Sequence, residues 1–144
     1  MLTASSDHFT TATSALAAAR AAPLSAKKAM LAALLIDAAA DALFAASGED
    51  DVLVFRARLA ANSDALALLF ALCALRPDGP RLVTEAVEVP IADYSALPVE
   101  DFMVSLYNNH TMMRVRIAVG EARHDVHEVL ARALRDLQSA PPPP

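Results

Sequence analysis

The chain has 144 residues, 56% of them hydrophobic but only 5% aromatic, with one cysteine and a net charge of −5. That length suits one domain with a sizeable core of its own, needing neither metal nor disulfide to hold it, and a lone cysteine excludes an intrachain disulfide. The acidic balance argues against a nucleic-acid partner, whose footprint is a basic stripe: Arg114, Arg116, Arg123, Arg132 and Arg135 gather in the last third but are diluted by Glu121, Asp125, Glu128 and Asp136.

The first predicted element is a short helix, capped by Ser6 or Asp7 and stopped at Ala22 by Pro23. Its hydroxyls at Thr10, Thr11, Thr13 and Ser14 are poor helix formers. Ser25 caps a second helix running to about Ser47, with Gly48 at the position after its end. Leu31, Leu35, Ala38, Ala42 and Ala45 share one stripe of it, widened by Leu34, and read as its core face. Glu49, Asp50 and Asp51 complement the positive end of the next helix dipole. That helix sets Val52, Phe55 and Leu59 on one face. Asn62-Ser63-Asp64 fits either a cap for a new helix or a solvated turn within one long helix. Ala65 to Leu75 is apolar all round, as a buried helix is.

Arg76-Pro77-Asp78-Gly79-Pro80 separates the helical half from the rest of the chain. Leu82 to Val89 reads as a strand, with Val83, Val87 and Val89 on one face and Glu85 the exception. Residues 101 to 117 then fold on paper into a β-hairpin turning at Asn108-Asn109. Phe102 faces Val115, Val104 faces Met113 and Leu106 faces Thr111. The opposite face pairs Asp101 with Arg116, Met103 with Arg114 and Tyr107 with His110, and a one-residue slip would invert both sets. A helix over 98 to 109, started by Pro98 and Glu100, is the competing reading. Asp125 and Glu128 form a capping box for a last helix with Val126, Val129, Leu130, Ala133, Leu134 and Leu137 on its stripe. The proline-rich end, 139–144, reads as a disordered tail. The fold class expected is α+β: a helical N-terminal half (7–76) packed on a small antiparallel sheet of about three strands with a C-terminal helix (81–138), as one domain over 1–138.

Few residues suggest chemistry. Cys73 lies in an apolar run with no charge adjacent, which suits a small buried hydrophobe rather than a nucleophile. Asp37 and Asp41 share a helix face and could hold a divalent ion with His127. An interhelical arginine, Arg56 or Arg58, would relieve their repulsion equally well. His124 and His127 lack the spacing of a zinc-binding helix. With only three glycines, the usual phosphate-cradling and dinucleotide-binding loops are excluded, and no Gly-x-Ser-x-Gly occurs.

The outer hairpin face mixes Met103, Tyr107 and Met112 with Arg114 and Arg116, a contact-surface composition. The function expected is therefore a non-enzymatic interaction or regulatory protein without a cofactor, homodimeric through excess apolar surface. A metal-assisted hydrolase using Asp37 and Asp41, and a small-molecule binder with an apolar pocket between helix and sheet, are the rivals. The longest apolar run considered, Ala65 to Leu75, is shorter than the roughly 20 residues a membrane span needs. The N-terminus lacks the basic region of a signal peptide. The expected location is accordingly the cytoplasm, with no membrane partner.

Overall fold

The computed structural model describes residues 4–88 and 111–140. Helix α1 spans Ala4–Ala21, α2 Ala26–Ser47, α3 Val52–Asn62 and α4 Asp64–Cys73, followed by β1 (Arg81–Glu88), β2 (Thr111–Val119), β3 (Ala122–Asp125) and α5 (Val126–Gln138). The strands form one antiparallel sheet in the order β1-β2-β3. The architecture is α+β, with helices in the N-terminal half and a helix closing the chain.

Helix boundaries follow the capping chemistry. Ser25 accepts a hydrogen bond from the Lys28 amide, and Gly48 takes the left-handed conformation (φ 78°) after α2. Asp51 caps α3 by accepting from the Leu53 and Val54 amides. Ser63 ends α3 and begins α4, accepting from the Leu66 amide. Asp125 caps α5 through the Glu128 amide. The N-terminal hydroxyls are accommodated because Thr10, Thr11 and Thr13 donate to the carbonyls four residues back. Helix α1 starts at Ala4, ahead of the expected caps. After α4 the chain reverses through Leu75, which sits at φ 55°; a side chain there costs about 1 kcal/mol or more in backbone strain.

Helices α1 and α2 lie along one another, joined by fully buried alanines: Ala12 and Ala19 from the first, Ala29, Ala32, Ala33 and Ala39 from the second. This reverses the face expected for α2. Its core stripe is alanine and Ile36, whereas Leu31 and Leu34 are 54% and 41% exposed. Methyl-sized side chains let the two backbones approach closely, and the leucines are turned outward as a result. Helix α2 is also long and apolar enough, by length and composition, to cross a membrane, contrary to the expectation that no segment is. One side of it is buried against the other helices, and Asp37 and Asp41 pair with Arg56 of α3.

Helix α5 packs on α4, α1 and α2, and all six residues of its expected stripe are buried. Burial of each large aliphatic side chain is worth about 1.5 to 3 kcal/mol. Val115 and Ile117 of β2 join this core, with Leu82 of β1 packed against it. The register explains why. Leu82 pairs with Ile117 and Thr84 with Val115, so the even positions of β1 share the helix-facing side. Val83 and Val87 share one face with Glu85 between them, as expected, and that face is the one turned away from the helices.

The sheet also differs from expectation in its third strand. β3 follows β2 through a two-residue turn, Gly120-Glu121, with Val119 paired to Ala122. Gly120 supplies the positive φ (57°) that such a turn demands at its first position. The second arm of the expected hairpin is a strand, β2. Its first arm and the Asn108-Asn109 turn lie outside the described residues. Arg116 pairs with Val83 on one side and Asp125 on the other. No ladder position at Arg116 therefore remains for the expected Asp101.

Candidate functional site

The sheet turns one face to the helices and the other away from them. On the outward face, cross-strand pairing aligns Val83 with Arg116, Glu85 with Arg114 and Val87 with Met112, and sets Asp125 beside Arg116 and Arg123 beside Ala118. Val83, Val87 and Met112 are half-buried there. Two guanidiniums approach one carboxylate. Arg116 Nη1 stands 3.6 Å from Glu85 Oε1, and Arg123 Nε 3.4 Å from Glu85 Oε2. Both distances exceed the ~2.8 Å of a charge-assisted hydrogen bond, so Glu85 holds the two arginines loosely. Asp125 is committed elsewhere, its Oδ2 capping α5 at 2.9 Å. Arg116 Nη2 donates to the Arg123 carbonyl, while Arg116 Nε is buried without a hydrogen-bond partner. The same arginines border a cavity of about 250 Å³ with His124, Glu128 and Arg132.

Of the contact residues expected from sequence, Met112, Arg114 and Arg116 alternate along β2 and share this face. Met103 and Tyr107 lie outside the described residues. Glu85 and Arg123 were not anticipated as members. Glu85 was visible as the charged interruption between Val83 and Val87, but Arg123 sits on the four-residue strand that the sequence did not announce.

The aspartate pair has a different role. Arg56 Nη1 binds Asp37 Oδ1 and its Nη2 binds Asp41 Oδ1, each at 2.8 Å, and Nη2 also donates to the Asp37 carbonyl. The guanidinium lies over the Phe70 ring at 4.6 Å. Burial pulls the Arg56 pKa down, but the hydrogen bonds and charges of Asp37 and Asp41 together outweigh it, and the net shift is upward. Arg58 meanwhile forks onto Glu49 at 2.8 and 2.6 Å. Its hydrogen bonds hold the Glu49 carboxyl below its ordinary pKa.

His127 stands elsewhere, its Nε2 3.5 Å from the Pro23 carbonyl and its Nδ1 buried without a partner. Among the described residues, no group of three or more His, Cys, Asp or Glu side chains could hold a metal ion. Cys73 is part of the apolar packing. Burial first, and then the Asp37 charge, push its thiol up to about 12, against a smaller opposing pull from Arg56. A thiol so raised is a poor nucleophile.

A cavity of about 470 Å³ is bordered by Phe70, Ala71 and Ala74 and by Arg76, Asp78, Gly79 and Pro80 of the following loop, none of them a strand residue. Another of about 170 Å³ contains Ser63 and Asp136. Ser63 Oγ donates to Asp136 Oδ2 at 2.6 Å and accepts from the Leu66 amide at 3.1 Å. The hydroxyl thus caps α4 and ties it to α5.

No family model, no curated protein and no solved structure matches this chain.

Proposed function

We propose that the protein is a non-enzymatic interaction or regulatory protein whose outer sheet face docks an acidic, partly apolar segment of a protein partner. The observation that carries this reading is the loose grip of a single carboxylate, Glu85, on Arg116 and Arg123. A partner's carboxylates can compete for half-exposed guanidiniums held at such distances, while Val83, Val87 and Met112 supply apolar contact between them. Arginine and methionine are enriched where proteins meet, and methionine adapts to irregular surfaces. The contacts assigned are Met112, Arg114 and Arg116, with Val83, Val87 and Arg123 added. The charged contribution would weaken with salt, as screening requires.

The test is quantitative co-purification with the wild type, with Met112→Gln/Arg114→Gln, and with Thr10→Asp on the exposed side of α1 as control. The reading expects a defined partner that the double substitution loses and the control retains, with all three proteins equally folded by circular dichroism. A partner retained by the double variant would contradict it.

A further inference from the structure

Helix α2 exposes a second surface, remote in character from the arginine-rich sheet face. Lys27, Leu31, Leu34, Ala38, Asp41 and Ala45 follow one another at alternating spacings of four and three along its outward side. That 3.5-residue repeat is the seam of a two-helix coiled coil. Leu31 and Leu34 are more than 40% exposed, and the half-buried Leu35 flanks them. The alanines leave room for a second backbone to approach. The seam carries its charge asymmetrically. Lys27 and Lys28 are exposed at its start. Toward its end Asp37 and Asp41 share the single positive charge of Arg56, which leaves a net negative charge there, and the Asp41 side chain remains 60% exposed.

We propose that α2 pairs with α2 of a second copy of this chain, antiparallel, about a two-fold axis near Leu34. In that arrangement each copy's Lys27 and Lys28 face the other's Asp41, the helix dipoles oppose, and the leucines cover one another. A parallel pairing would stack lysine on lysine and aspartate on aspartate. The charge pattern thus complements itself in one orientation alone, and this selects a second copy as the occupant. The helix has 22 residues, about 33 Å in length. A single helix pair of that size is at the small end of specific interfaces, so the dimer should be a reversible one with a dissociation constant in the micromolar range. The inference is independent of the sheet-face reading, since it uses neither the same element nor the same residues.

The test is sedimentation velocity of the full chain over a concentration series. Wild type should shift from monomer to dimer, and Leu31→Gln/Leu34→Gln should weaken the association at least about tenfold. Lys27→Asp/Lys28→Asp should weaken it as well, and adding Asp41→Lys to that variant should restore it. In a Cys73→Ser background, Leu34→Cys should oxidise to a disulfide-linked dimer, while Ala61→Cys on exposed α3 should not. Circular dichroism confirms the fold of each variant. A chain that stays monomeric throughout the series, or a dimer indifferent to the leucine substitutions, overturns the proposal. So does a monomer that binds phosphatidylserine vesicles through Leu31 and Leu34, which would make the seam a membrane contact.

Discussion

Ser63 is the polar residue on which the helical half turns, and replacing it with alanine isolates what it does. The residue is 8% exposed and its hydroxyl has two roles. It accepts from the Leu66 amide at 3.1 Å, capping α4, and donates to Asp136 Oδ2 at 2.6 Å, tying α4 to the end of α5. Losing a serine N-cap costs about 1 kcal/mol, and losing a hydrogen bond to a charged acceptor costs about 1.5 to 3. Because Asp136 is only half-buried and can turn to water, the lower end applies, and Ser63→Ala should cost about 2 to 3 kcal/mol. For a chain of this length that lowers Tm by roughly 10 °C. Urea denaturation followed by circular dichroism gives the free energy directly. Two companion variants separate the roles. Ser63→Asp keeps a good cap but sets a carboxylate against Asp136, so it should be destabilised too. Ser63→Ala/Asp136→Asn should be less destabilised than the sum of its single variants, since both remove one bond. A cost below about 0.5 kcal/mol for Ser63→Ala, or a fully stable Ser63→Asp, would refute the double role.

Other expectations test the surrounding network. Arg56→Met leaves Asp37 and Asp41 facing each other without their shared cation and should cost about 1 to 3 kcal/mol, part of which Asp37→Asn in the same chain recovers; chemical denaturation reads both. Cys73, its thiol pushed up to about 12 by burial and the nearby Asp37, should resist a thiol reagent at pH 8 in the folded protein and react at once in denaturant. By the same shift, the neutral thiol's contribution to stability is present below the unfolded-state pKa of about 8.5 and declines as pH rises toward 12. Gly120→Ala meets no atoms within 4 Å of the added methyl, so its expected cost, about 1 kcal/mol, comes from the positive φ alone and should appear in thermal melts.

What could be read from the sequence was mostly local chemistry. Ser25, Gly48, Asp51, Ser63 and Asp125 mark helix ends because a side-chain oxygen or a missing Cβ solves a backbone problem within three residues. The α5 stripe was legible because charged residues alternate with apolar ones and leave one face unambiguous. Helix α2 lacks that contrast. Alanine and leucine surround it, so periodicity alone cannot say which face is buried; the close approach of α1, a long-range fact, gave the small side to the core. In β1 the grouping of Val83 and Val87 was legible but not which face meets the helices, since the strand has apolar residues on both faces and only its pairing with β2 decides between them. β3 escaped notice because Ala-Arg-His-Asp has neither apolar alternation nor β-branched residues. It is a strand because Gly120 turns the chain back onto β2. Arg56 and Arg58 were recognisable as candidate partners for the Asp37–Asp41 pair, but the choice of Arg56 required the packing of α3 on α2. The site was legible to the extent that Met112, Arg114 and Arg116 alternate. Its controlling element, one glutamate shared among arginines from two strands, depends on register.

The central claim is that the protein works by presenting the outward face of its sheet. The most direct measurement places a photo-crosslinking amino acid at Met112 and, separately, at Thr10, and irradiates cells producing each variant. The account predicts a discrete crosslinked partner from position 112 that diminishes in an Arg114→Gln background and is absent from position 10. Equal crosslinking from both positions, or none from 112 while the protein is folded and abundant, would contradict it.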